Sequence, residues 1–156
     1  MGIQIKKILV PLDGSKNSIR GLDMAIHMAR ESHATITGLY VLGIVKPQTN
    51  DQITPLEKML LKNAQQIMKK AKLKAAQKGI LFFDRISYGD GGKRIVDIAH
   101  RKNFDLIVIG SRGMGSAKEI FLGSTSNYVL HKSKKPVLIV KWIKITNLIS
   151  QKFLSH

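Results

Sequence analysis

The stretch 110–141, GSRGMGSAKEIFLGSTSNYVLHKSKKPVLIVK, places four glycines (Gly110, Gly113, Gly115 and Gly123) in its first fourteen positions. Directly before it stands FDLIVI (104–109), and KPVLIVK (135–141) closes it. Both flanking runs are short, apolar and rich in β-branched residues, the composition of buried strands. A helical pattern over 124–133 lies between them, so the region reads strand, glycine loop, helix, strand. That order is what parallel pairing requires, because parallel neighbours need a crossover connection.

The same alternation runs upstream. KKILVPL (6–12) is a strand ended by the turn-like DGS, and Ser15 is placed to cap a helix over 16–32. Ile19, Leu22, Ile26 and Ala29 form one stripe of that helix. TITGLYVL (35–42) is the second strand. Thr54, Pro55 and Glu57 then make an N-cap, a first-turn proline and a capping box. The helix they start is expected to bury Leu56, Leu60, Ala64, Ile67 and Ala71, and Gly79 ends it. ILFFDRIS (80–87) is the third strand. GDGGKRIVDIAHRKN supplies a third helix, with a late start predicted by Gly91 and Gly92. Five strands alternating with helices make an α/β fold: a single-domain, Rossmann-like sandwich with a five-stranded parallel sheet and helices on both faces. The domain spans 1–141. Residues 142–156 form a basic amphipathic extension, with Trp142, Ile145, Leu148, Ile149 and Phe153 on one face and Lys144 and Lys152 among its polar positions.

Composition narrows the function. The chain of 156 residues has no cysteine, which excludes disulfides, thiol catalysis and cysteine-ligated metal. His27, His33, His100, His131 and His156 show no metal-ligand spacing. Met24, Met28, Met59 and Met68, at helical spacing, are expected to fill the core. No signal-peptide pattern and no apolar run of about 20 residues occurs, so there is no transmembrane segment and the expected compartment is the cytoplasm. The net charge of +16 suits a polyanionic partner or a lysine-rich solvated surface. Seven lysines and no acid lie between Lys58 and Lys78, with no aromatic among them for base stacking.

The glycine loop is not a P-loop, since no G-x-x-x-x-G-K-[ST] occurs, and it lacks the third glycine of a dinucleotide fingerprint. What occurs is Gly110-x2-Gly113-x9-Gly123-Ser124. Bare glycines let backbone amides turn towards a phosphate, and a helix starting near Ser124 adds its N-terminal dipole. Arg112 and Lys118 could add charge. The alternative is a plain flexible turn with Ser124 as N-cap.

These residues resemble the ATP-binding branch of the universal stress protein family. The spacing Gly110-x2-Gly113-x9-Gly123-Ser124, the opening KKILVPLDGSKNS, the GLYVL strand and DLIVIGSRG carry the resemblance over residues 5–141. It implies ATP bound at the carboxyl ends of the strands. Pro11, Leu12 and Asp13 would line the nucleoside end, and Val41 would meet the base. Ile109, Gly110, Arg112 and Gly113 would wrap the ribose and phosphates, with Gly123, Ser124 and Thr125 closing the phosphate site. Mg²⁺ or Mn²⁺ would be held mainly by the phosphates, with no metal or catalytic residue of the protein's own. A homodimer paired through the last strand is implied as well. The role that follows is a nucleotide-dependent switch or partner-binding module in stress response, its protein partner unidentified. The competing readings are a slow ATP-hydrolysing enzyme using the same pocket, and a basic nucleic-acid-binding module whose glycine loop is only a turn.

Overall fold

The computed structural model describes residues 2–49, 53–113 and 122–141. The extension 142–156 and, within the glycine loop, Gly115, Ser116, Lys118 and Glu119 lie outside the described residues. The elements follow in the order β1 (Lys7–Pro11), α1 (Lys16–Ser32), β2 (Thr35–Leu42), α2 (Pro55–Ala76), β3 (Phe82–Tyr88), α3 (Gly91–Arg101), β4 (Leu106–Gly110), α4 (Ser124–Lys132) and β5 (Val137–Val140). All strand pairs are parallel, in the spatial order β3-β2-β1-β4-β5. Strand order therefore reverses between β1 and β4, and ligands of such sheets bind at that switch point, outside the strand carboxyl ends.

Strict alternation builds the two sides of the core. Ile8 and Val10 of β1, with Leu106 and Val108 of β4, face the layer formed by α1 and α2. Leu9, Ile107 and Ile109 face the opposite layer, with Ile95, Ile98 and Ala99 of α3 and Val129 of α4. Leu9, Val10, Ile107 and Val108 are fully buried, each contributing about 1.5–3 kcal/mol.

The expected caps form on the first two helices. Ser15 Oγ accepts from Ser18 N at the start of α1, and Thr54 and Glu57 make the reciprocal capping box of α2. Three expectations are corrected. Leu56 is 60% exposed, because the burying stripe of α2 begins about two turns later and runs through Ala64, Met68, Ala71 and Ala75. Met24 and Met59 likewise face solvent, whereas Met68 is core. The third helix does not start late. Asp90 caps it by accepting from Lys93 N, so Gly91 and Gly92 are already helical. A Cβ on Gly92 would stand 2.7 Å from Cδ1 of Tyr128, so the glycine is what lets α3 and α4 approach. Helix α4 starts at Ser124, as expected, and the alternative of Ser124 as N-cap falls away, because Gly123 holds the cap position, with no side-chain hydrogen bond.

Candidate functional site

Two segments meet at the switch point. After β1 the chain turns through Leu12, Asp13 and Gly14, where Gly14 takes φ +83°, a conformation that favours glycine. Asp13 Oδ1 accepts from Ser15 N at 2.9 Å, so this carboxylate does fold its own turn. The aspartate also faces the second segment. A Cβ at Gly113 would lie 2.6 Å from Asp13 Oδ2, so any larger residue there would have to displace the carboxylate.

The second segment leaves β4 at Gly110. There the missing side chain has a packing reason: a Cβ would fall 2.5 Å from the Asn17 carbonyl oxygen of α1. Gly21 mirrors this, its Cβ position being 3.2 Å from Gly110 N. The glycine loop is tied at its base. Gly123 N donates to Ser111 O at 2.8 Å, and the buried Ser126 hydroxyl donates to Ser111 O at 2.7 Å. These bonds set the N-terminus of α4, whose first-turn amides have no partner within the helix, against the end of β4.

A cleft of about 580 Å³, counting its open mouth, lies between the segments. Pro11, Leu12, Asp13, Val41, Ile109, Gly110, Arg112, Gly113 and Thr125 line it, so nine of the eleven expected residues surround one space. Gly123 and Ser124 are not among the lining residues; Gly123 stands behind the rim, where a Cβ would be 3.3 Å from Arg112 Cα. Ser18, Leu39, Gly91, Ile95 and Ser126 line the cleft too and were missed. Leu39 was within reach, since it stands two residues from Val41 on the same strand face. Gly91 and Ile95, four apart, share a helix face for a similar reason.

Apolar walls with a few convergent polar groups are the usual make-up of a small-molecule site. Leu39, Val41, Ile95 and Ile109 supply the apolar part, while Arg112 and the helix start supply positive charge. Asp13 is the single acid among the described lining residues. No group of three or more His, Asp or Glu that could hold a metal occurs among the described residues. Near Asp13, the Tyr40 hydroxyl has its pKa raised above the usual value by burial and then by the aspartate's charge, with Asn63 hydrogen-bonded to it as an opposing effect. Burial and the neighbouring carboxylate therefore both favour the neutral phenol. No helix among the described residues is long and apolar enough to cross a membrane.

Several known proteins share this architecture. YxiE, a universal stress protein of Bacillus subtilis, is 36% identical over 146 residues, covering 86% of this chain and 98% of its own. The universal stress protein UspA from Lactobacillus plantarum superposes with a TM-score of 0.77 at 27% identity, covering 90% of this chain and all of that one. A universal stress protein solved in complex with cAMP superposes at 0.71 with 27% identity, covering 88% and 97%. Residues 4–141 match the sequence profile of the universal stress protein family. With sheet order, helix layers and sequence in agreement over that span, the chain belongs to the universal stress protein family.

Proposed function

We propose that the cleft between β1 and β4 binds an adenine nucleotide, ATP by the glycine pattern, and that the protein is a cytoplasmic nucleotide-dependent switch or partner-binding module. The observation that carries this reading is the cleft itself. It sits at the switch point, and its walls combine an apolar floor, an arginine, a helix N-terminus and a rim kept close by glycine. The relative crystallised with cAMP supports an adenine ligand. In this reading Leu39 and Val41 meet the base, and Arg112, Gly113 and the first amides of α4 meet the phosphates. Gly123 and Ser124 act through the position of that helix start. A Mg²⁺ or Mn²⁺ would be held by the phosphates, since Asp13 is the one carboxylate among the described lining residues and its Oδ1 already accepts from Ser15 N. With no other acid or base among those residues, hydrolysis is expected far below the common enzyme rate of about 10 per second.

The test is thermal. ATP at about a hundred times its dissociation constant stabilises a binding protein by roughly 2.7 kcal/mol. For a domain of this size that raises Tm on the order of 5–10 °C. No shift with ATP, ADP or AMP would remove the nucleotide from the account. Pairing of two chains through β5 belongs to the same proposal. Val137–Val140 ends the sheet and stays only half-buried, an edge that a symmetric copy would satisfy. Light scattering at micromolar concentration should give the mass of a dimer.

A further inference from the structure

The pair α3–α4 presents a second concavity on its outer side, away from the cleft. This groove, about 620 Å³ with its mouth, is lined by Lys93, Val96, Asp97, His100, Tyr128, Lys132 and Lys134. Its charge is one-sided. Asp97 is the only acid in the lining, and both its oxygens are taken: Arg94 lies at 3.3 Å from Oδ2 and Arg101 at 2.7 Å from Oδ1. Lys93, Lys132 and Lys134 make no ion pair with any described residue and are exposed.

Helix electrostatics account for only part of this. Lys132, in the last turn of α4, suits the helix dipole. Lys93 does not, because it occupies the first turn of α3, where a cation opposes the dipole. Lys134 lies beyond α4 in a turn that is held in place. Ser133 Oγ accepts from Lys135 N at 3.0 Å and donates to Lys135 O at 2.8 Å. Lys135 Nζ then donates to Asn103 Oδ1, joining this turn to the chain that leaves α3. Hydrogen bonds therefore fix one end of the groove, and the Gly92–Tyr128 contact fixes its floor.

We infer that the α3–α4 groove is a binding site for single-stranded nucleic acid. Unpaired lysines supply phosphate contacts, and half-buried Tyr128 with exposed His100 supplies aromatic surface among them. A cationic groove with an aromatic is the chemistry of unpaired bases, whose faces a duplex hides. A membrane surface is the weaker fit, because interfacial binding needs a protruding apolar face and these walls are charged and concave. The inference is independent of the nucleotide in the cleft.

The experiment is fluorescence anisotropy with a fluorescein-labelled oligouridylate, without added nucleotide, from roughly 50 to 200 mM salt. The groove variant carries Lys93→Gln, Lys132→Gln and Lys134→Gln. A control of equal charge carries Lys58→Gln, Lys62→Gln and Lys69→Gln on the exposed face of α2. The groove variant should bind roughly tenfold or more weakly, and its log–log salt slope should flatten by about 2, as expected for three lost phosphate contacts. The α2 control should stay within about threefold of the wild type. Tyr128→Leu, which keeps an apolar side chain against Gly92, should weaken binding roughly fivefold through lost stacking. Equal loss in the two lysine variants would reduce the effect to net charge and overturn the proposal. So would absence of RNA binding in the wild type, or groove-dependent binding to phosphatidylserine vesicles without RNA binding.

Discussion

The two segments that frame the cleft solve the same task differently. The β1 side is short and held by side chains, with Asp13 accepting from Ser15 N and Ser15 Oγ accepting from Ser18 N. The β4 side is long, and its described ends depend on missing side chains. Gly110 lies on the backbone of α1, Gly113 faces the Asp13 carboxylate, and Gly123 backs onto Arg112. The difference teaches that glycines in one motif need not share a reason. Gly110 is required by packing, whereas Gly113 and Gly123 shape the rim.

Substitution separates these reasons. Gly110→Val has the largest expected effect, since its Cβ meets the Asn17 carbonyl, which is backbone and cannot step aside. A loss of about 3 kcal/mol is expected, at the upper end of overpacking penalties, read as a fall in Tm with or without ATP. Gly113→Val meets only a carboxylate that can turn away. It should change stability by less than about 1 kcal/mol, yet abolish the roughly 2.7 kcal/mol stabilisation by saturating ATP. Gly123→Val should behave likewise. Its φ of −64° suits any residue, so the backbone itself is not strained. Equal ATP shifts in wild type, Gly113→Val and Gly123→Val would make Gly113 and Gly123 plain turn residues. Smaller still, Ser15→Ala should cost about 1 kcal/mol in denaturant unfolding as a lost helix cap. Ser124→Ala should cost less than about 0.5 kcal/mol, because an exposed N1 serine caps nothing. A cost at Ser124 equal to that at Ser15 would contradict the assignment of Gly123 as N-cap.

Much of the fold was legible because its local signals agree. Ser15 and the strand alternation place α1 at 16–32 and β2 at 35–42, as found. Competition between signals caused the misses. Asp90 outweighs the poor helix propensity of Gly91 and Gly92, and the α3–α4 contact explains why glycine is kept there. Leu56 and Met59 fit a helical period, but period alone does not say where along a helix the sheet ends. Within the cleft, residues on the two loops were found through the motif. Ser18, Gly91, Ile95 and Ser126 were not, because they arrive on helices whose facing is a tertiary fact. Ser126 carried no signal by itself, since a serine two places into a helix is ordinary until its hydroxyl is seen to hold Ser111.

The strand order has a further consequence, for how the chain assembles. β1, β2 and β3 are consecutive in sequence and adjacent in space, so residues 7–88 can pair as they emerge. The opposite edge of β1 must wait for β4, with Ile8 finding Leu106 and Leu9 finding Ile107. Closing so long a loop costs entropy before any contact offsets it, and parallel pairing of this kind is slow. Until β4 arrives, the fully apolar centre of the sheet has one bare edge. That intermediate, and not the finished protein, is where aggregation during synthesis would begin.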